Sequence, residues 1–174
     1  MSLREKVIKK IECFMFNIEE RNDIDIYTLL KNLEIILIDL YAYVEELPEE
    51  EIPDADLESI NYHSRSIELI VAKLDDQSNS ADVERWKVVY DEFIDIFNSM
   101  LSVKENSEDE EKLLNICDIL ATIYTKFSII KTEFTDLEKK FWTIKYGYET
   151  DWGEDIEYLL SILPGIRNLI TERS

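Results

Sequence analysis

Apolar residues recur at helical spacing along nearly the whole chain. Leu3, Val7, Ile11, Phe14 and Ile18 predict a first helix over residues 3–20, and the run Asn22 to Asp25 ends it and offers N-caps for the next. A second helix follows over residues 26–47. Leu29, Leu30, Leu33, Ile36, Leu37, Leu40, Tyr41 and Val44 form its broad stripe, with Ile35, Ile38 and Tyr43 lying off it. A helix apolar most of the way round belongs at the centre of a bundle or beneath a partner. Pro48 and Pro53 then break the chain, and Asp54 is placed to cap a third helix that ends near Leu74. Leu57, Ile60, Ile67, Ile70, Val71 and Leu74 are expected to face inward.

The polar run 75–80 separates this from a fourth helix reaching about Lys104, with Trp86, Val89, Tyr90, Phe93, Phe97, Met100 and Leu101 on one face. Ser107 and Glu110 have the spacing of a capping box, opening a fifth helix to about Phe134. There Leu113, Cys117, Leu120, Tyr124 and Phe127 alternate at four and three, and Ile116, Ile119, Ile123 and Ile130 widen the apolar face. Thr135 and Glu138 form a second box. Phe141, Ile144, Tyr148, Trp152, Ile156 and Leu159 then hold phase through Gly147 and Gly153, predicting one helix to about Leu163. Pro164 and Gly165 kink or break it before a short helix over residues 166–171.

Only three glycines and three prolines occur, far too few for a turn-rich β domain. The pattern predicts an all-α bundle of six or seven helices, a single domain over residues 1–174, with the second and fifth helices central. Trp152 is expected to anchor the core in a stack with Tyr148 and Ile156, while Gly153 lets a neighbouring helix approach.

Charge changes the functional picture. With 39 Asp and Glu against 19 Lys and Arg, the net charge is −20. Nucleic-acid phosphates and anionic membranes would be repelled, so neither is an expected partner; a basic protein would be attracted. Between Glu45 and Glu58 there are eight acids and no Lys or Arg. Arg4, Lys6, Lys9 and Lys10 make the first turns basic and read as a solvated face. The N-terminus lacks the uninterrupted apolar region of a secretory leader, and no stretch has the roughly 18 uncharged apolar residues of a membrane span. Cys13 and Cys117 sit inside apolar helical patterns, as buried thiols do in a reducing compartment. The expected location is cytoplasmic.

Catalytic constellations are scarce. His63 is the one histidine, so a multi-histidine metal site is excluded. Phosphate-binding glycine loops, nucleophile elbows and HExxH helices do not occur, and no cofactor is expected. Carboxylates are the abundant chemistry. Glu45, Glu46 and Glu49, with Glu92 and Asp95, match the EExxE and ExxD strings by which some helical nucleotide pyrophosphohydrolases hold magnesium, although Pro48 interrupts the first. Asp151, Glu154 and Asp155 form another acidic cluster, with Asp151 and Asp155 on one helix face. These are the metal-ligand candidates for the alternative reading, a carboxylate-based hydrolase using Mg²⁺ or Mn²⁺. Trp142, Tyr146 and Tyr148 concentrate aromatic surface beside that cluster and are the candidates for contact with a partner. The favoured expectation is a non-enzymatic protein–protein interaction module that binds a basic partner, in the manner of an immunity protein or an inhibitor.

Several segments resemble an uncharacterised bacterial family, domain of unknown function five thousand and sixty-three. Leu114 to Tyr124 is similar to its Leu-Ala-Asp-Asp-Leu-Ala-Asp-Ile-Tyr segment, and Phe141-Trp142 through Asp151-Trp152-Gly153 to its aromatic stretch ending in His-Trp-Gly. Trp86 to Asp91 resembles its Trp-x-Val-Phe-Asp segment, and Leu29 to Pro48 its leucine-rich helix ending in Leu-Pro. Asp151 stands where the family has histidine, Glu154-Asp155 lacks the histidine that follows the glycine, and no Arg-Ala-Leu-His ending is present. The resemblance implies an all-helical fold and supplies no activity.

Overall fold

The computed structural model describes residues 1–49, 57–74 and 80–173. Periodicity becomes helix throughout: α1 (Leu3–Glu19), α2 (Ile26–Glu46), α3 (Leu57–Leu74), α4 (Ala81–Met100), α5 (Glu108–Glu133), α6 (Leu137–Gly147), a π turn (Tyr148–Trp152) and α7 (Gly153–Arg173). The described residues contain no strand. Since α6, the π turn and α7 are continuous, the described residues of the all-α bundle form six rods.

Side chains near each start satisfy the free N–H groups of the first turns. Ser2 and Glu5 form a reciprocal capping box on α1, Asp25 accepts from Thr28 N at 3.0 Å, and Ser80 accepts from Val83 N at 3.2 Å. Of the two boxes expected downstream, the first is half-made and the second is replaced by a different cap. Ser107 caps Glu110 N, but the Glu110 carboxylate reaches back to Asn106 N instead. On α6 the cap is Asp136, which accepts from Glu138 and Lys139; the Thr135 hydroxyl donates to Glu58, and Glu138 pairs with Arg4. The expected Asp54 cap lies outside the described residues.

Pairs Lys6–Tyr43, Lys10–Asp39 and Asn17–Asn32 keep a constant sum of positions, so α1 and α2 run antiparallel. From Asn115–Tyr158 to Lys126–Asp151 the position rises on α5 as it falls on its partner, so α5 is antiparallel to the rod that ends in α7. Helix α5 is the axis of the bundle, touching α1, α3, α4, α6 and α7. Ile116, Cys117, Leu120, Ala121, Ile123, Phe127 and Ile129 have no exposed surface. Among the described residues it alone has the length and apolarity to cross a membrane, and 78% of that apolar window is buried inside the bundle.

Helix α2, expected at the centre, is a flanking helix. It packs chiefly on α1 and α7, and Ile35 and Ile38 are each half exposed. Its stripe is wide enough to bury Leu29, Leu30, Leu33, Leu37 and Leu40 completely, while the two isoleucines off the stripe stay in solvent.

Helix α3 reverses its expected orientation. Leu57, Ile60, Ile67 and Ile70 are 72%, 55%, 60% and 52% exposed, whereas Tyr62 and Leu69 on the opposite face are buried. The expected inward Val71 and Leu74 have side chains outside the described ones. Polar contacts fasten this helix. Arg65 donates to both carboxylate oxygens of Asp82 at 2.7 and 2.8 Å, and to Glu133 at 2.8 Å and Thr132 at 3.3 Å. A bidentate guanidinium–carboxylate pair fixes orientation as well as distance, so the apolar stripe is left over.

The last rod follows from its spacing. Ile144, Tyr148, Trp152 and Ile156 are separated by three steps of four, which turns a stripe by about 120° around an α-helix. One π turn absorbs the surplus residue, and all four side chains are buried. Gly153 N–H donates to Tyr148 O, five residues back. A Cβ on Gly153 would lie 2.2 Å from that oxygen, so the glycine serves the turn itself rather than a neighbouring helix. Pro164 neither breaks nor ends the rod. Leu163, Ile166 and Ile170 are buried on both sides of it, and α7 continues through to Arg173.

Trp152 is fully buried, as the spacing implied. It sits midway in a chain of edge-on rings crossing the bundle: Phe14 on α1, Phe127 on α5, Trp152 and Tyr148 in the π turn, and Tyr41 on α2, with centroids 5.2–5.6 Å apart. Edge-to-face stacking is the favoured geometry for such rings. The chain ends in polar contacts, Tyr148 hydroxyl to Glu45 and Tyr41 hydroxyl to Glu157 at 2.7 Å.

Candidate partner-binding site

Trp142 and Tyr146 lie four residues apart on α6 and therefore on one face. Their rings are stacked, with centroids 4.9 Å apart and planes 10° from parallel. Trp142 is half-buried and Tyr146 is 46% exposed. Together they form an aromatic ridge between two hollows.

The hollow on one side, about 120 Å³, is bounded by Glu49, Glu149 and Lys145 beside the two rings. The Lys145 ammonium is turned into the protein, donating to the carbonyls of Val44 at 2.9 Å and Glu45 at 3.3 Å, with Glu149 3.6 Å away. It thereby caps the C-terminal end of α2, where the helix dipole favours a cation. Glu49 and Glu149 bring two carboxylates to this hollow, the charge of Glu149 being shared with Lys145.

The hollow on the other side, about 180 Å³, lies between α3 and the α6–π segment. Ile67 and Ile70 form its apolar wall opposite Trp142 and Tyr146; Tyr62, His63, Ser66 and Thr150 contribute polar atoms, and Lys126 and Asp151 face each other. Lys126 is 3% exposed on the core helix, and Asp151 neutralises it by a direct ion pair. Burial pushes the Tyr62 hydroxyl up to about 12, keeping it a neutral phenol.

Of the residues expected at a partner surface, the structure brings Trp142 and Tyr146 together and sends Tyr148 elsewhere. Tyr148 is 6% exposed, wedged between Tyr41 and Trp152, because it follows Ile144 by four residues on the core stripe. The acidic candidates are dispersed. Glu92 pairs with Arg21 and accepts from Asn22, Asp95 is exposed on α4, and Asp151 is held by Lys126. Glu154 is exposed and Asp155 half-buried at the start of α7. Among the described residues no three Asp, Glu, His or Cys side chains converge as metal ligands.

The periodicity did not reveal Ile67 and Ile70 as part of a surface, nor the two buried lysines. A signal was present for Lys126: it stands between Thr125 and Phe127, in a stretch of α5 where every neighbour is buried. A third and larger hollow, about 560 Å³, lies between the starts of α1 and α6, walled by Met1, Ile8, Leu137 and Phe141. Of its charged groups, Arg4 is engaged by Glu138 and the Phe141 ring and Glu5 by Ser2 N, while Lys9 and Glu12 of opposite sign also line it. Comparison with family models, with curated proteins and with solved structures gives no match to this chain.

Proposed function

We propose that this protein is a non-enzymatic interaction module that binds a basic protein partner, and that the Trp142–Tyr146 ridge receives a cationic side chain of that partner. The observation that carries this reading is the accessible stacked pair with Glu49 and Glu149 alongside it. An arginine or lysine laid over such a pair gains a cation–π contact of about 0.5–2 kcal/mol and meets a carboxylate at its rim. The net charge of −20 supplies long-range attraction, which speeds encounter and suppresses acidic competitors. Such a surface suits a protein that covers a cationic protein, as an immunity protein or inhibitor does. The free thiols of Cys13 and Cys117 support work in a reducing, cytoplasmic compartment. The resemblance to domain of unknown function five thousand and sixty-three adds a helical frame to this reading and no activity.

An oligoarginine peptide titrated by calorimetry at low and high salt tests it. Binding at low salt that weakens at high salt, and weakens further in Trp142→Ala and Glu149→Gln, is the expected result. Equal affinity in wild type and both variants would overturn the assignment of the ridge.

A further inference from the structure

We infer that the outward face of α3 seats an amphipathic basic helix, whose apolar side lies on Ile60, Ile67 and Ile70 and whose cations reach the Trp142–Tyr146 ridge. This rests on the basic-partner reading above and specifies the partner's form.

Helix α3 has two faces doing different jobs. Its inner side is locked by Arg65, gripping Asp82 and Glu133, and by buried Tyr62 and Leu69. Its outer side carries the apolar stripe, more than half exposed at each of Leu57, Ile60, Ile67 and Ile70. His63 and Ser64 occupy the turn between Ile60 and Ile67, so the stripe is two apolar pairs on one side of the helix, and exposed apolar surface of this kind marks interaction sites. From Leu57 to Ile70 the stripe runs about 20 Å along the helix axis, the length over which a bound helix places anchors at successive turns.

The stripe also forms one wall of a groove. Ile67 and Ile70 stand across the 180 Å³ hollow from Trp142 and Tyr146, so an apolar side chain seated there is flanked by both helices. Charge selects the occupant. Glu149 and Glu49 lie just across the ridge, and the buried ammonium in the groove, Lys126, is cancelled by Asp151. A helix with lysines or arginines beside its apolar face matches this arrangement. A second copy of this chain, itself carrying −20, is repelled, as are nucleic acid and anionic membrane.

The test uses two synthetic peptides of identical leucine and lysine content. One follows the repeat Leu-Lys-Lys-Leu-Leu-Lys-Leu, which gathers leucines on one helical face; the other has the same residues scrambled so that no face forms. Each is titrated, beside oligoarginine, into wild type, Ile67→Asp and Ile60→Asp. Both substitutions are at exposed positions, and unchanged melting temperatures establish that the variants fold. We expect the amphipathic peptide to bind at least about tenfold more tightly than the scramble, and the aspartates to remove most of that advantage without weakening oligoarginine binding, which an added carboxylate can only favour. Equal binding of the two lysine peptides, unaffected by the aspartates, would overturn the α3 seat and leave the basic-partner reading standing. Failure of oligoarginine and both lysine peptides to bind would overturn that reading as well. A wild-type dimer in sedimentation that Ile67→Asp converts to monomer would show a second copy occupying the stripe and overturn the inference by that route.

Discussion

Arg65 holds Asp82 through two nearly parallel hydrogen bonds of 2.7 and 2.8 Å, joining α3 to α4 across 17 positions of sequence. Asp82 is almost fully buried, so the pair is hard to replace by halves. Arg65→Met removes the bidentate partner of the buried carboxylate, leaving it to Arg85 3.1 Å away, and is expected to cost about 1.5–3 kcal/mol. Adding Asp82→Leu should recover part of that loss, because two apolar groups no longer leave a charge uncompensated. Urea melts of the single and double variants measure both, and a double variant weaker than Arg65→Met would contradict the account.

The docking of α3 should also have limits at both ends of the pH scale. The hydrogen bonds from Arg65 hold the Asp82 carboxyl below its ordinary value of 3.8. A depressed folded value adds stability that is complete above 3.8 and is lost as pH falls through the lower, folded value. Tyr62 works in the opposite sense. Its phenol ionises near 10 when unfolded and about 12 when buried, so stability falls as pH climbs from 10 towards 12. Amide hydrogen exchange along α3 is expected to be best protected between those limits. In Asp82→Asn the acid limit should disappear while the alkaline one remains.

How far the sequence revealed this molecule depends on which force places each helix. Helix α5 was legible because burial on nearly every side demands apolar residues on nearly every side. The same reasoning misplaced α3. Its apolar stripe marks an outer face, and the contacts that seat it are an arginine and two acids at separations of 17 and 68 residues. No local periodicity reports such distant polar partners. Trp142 and Tyr146 were legible as candidates for an aromatic surface, and their stacking on one face comes from the structure. Tyr148 fitted two expectations, core stripe and aromatic surface, and its place four residues after Ile144 puts it in the core.

Trp152→Ala removes the middle ring of the aromatic chain and is expected to cost about 3–5 kcal/mol. For a chain of this length that lowers the melting temperature by roughly 10 °C or more. Tyr146→Ala, at an exposed ring, should stay within about 0.5 kcal/mol of wild type. Gly147→Ala would bring a methyl within 2.6 Å of the Trp152 Nε1, an indole nitrogen that already has no hydrogen-bond partner. It should shift the Trp152 indole N–H resonance and lower stability, while the same substitution at the exposed Gly165, which has open space around it, does neither.

The two thiols should react at very different rates. Burial pushes the Cys117 thiol up to about 12 and shields it completely, whereas Cys13 is partly accessible. A maleimide reagent on the native protein is expected to modify Cys13 alone. Cys117 should become reactive only with global unfolding, so its labelling rate in denaturant tracks the stability of the bundle. Rapid modification of Cys117 under native conditions would be inconsistent with α5 as the axis.

The π turn gives the last rod one residue of slack. Elsewhere in these helices, removing a residue would swing everything downstream by about 100° and expose the core stripe. Between Tyr148 and Trp152 the opposite holds. Losing exposed Glu149 or Thr150 would let the turn relax into plain α-helix with Ile144 and Ile156 still facing the same way, because eleven residues make about three turns. The chain can therefore change length at this point, beside the aromatic ridge, without its bundle having to be rebuilt.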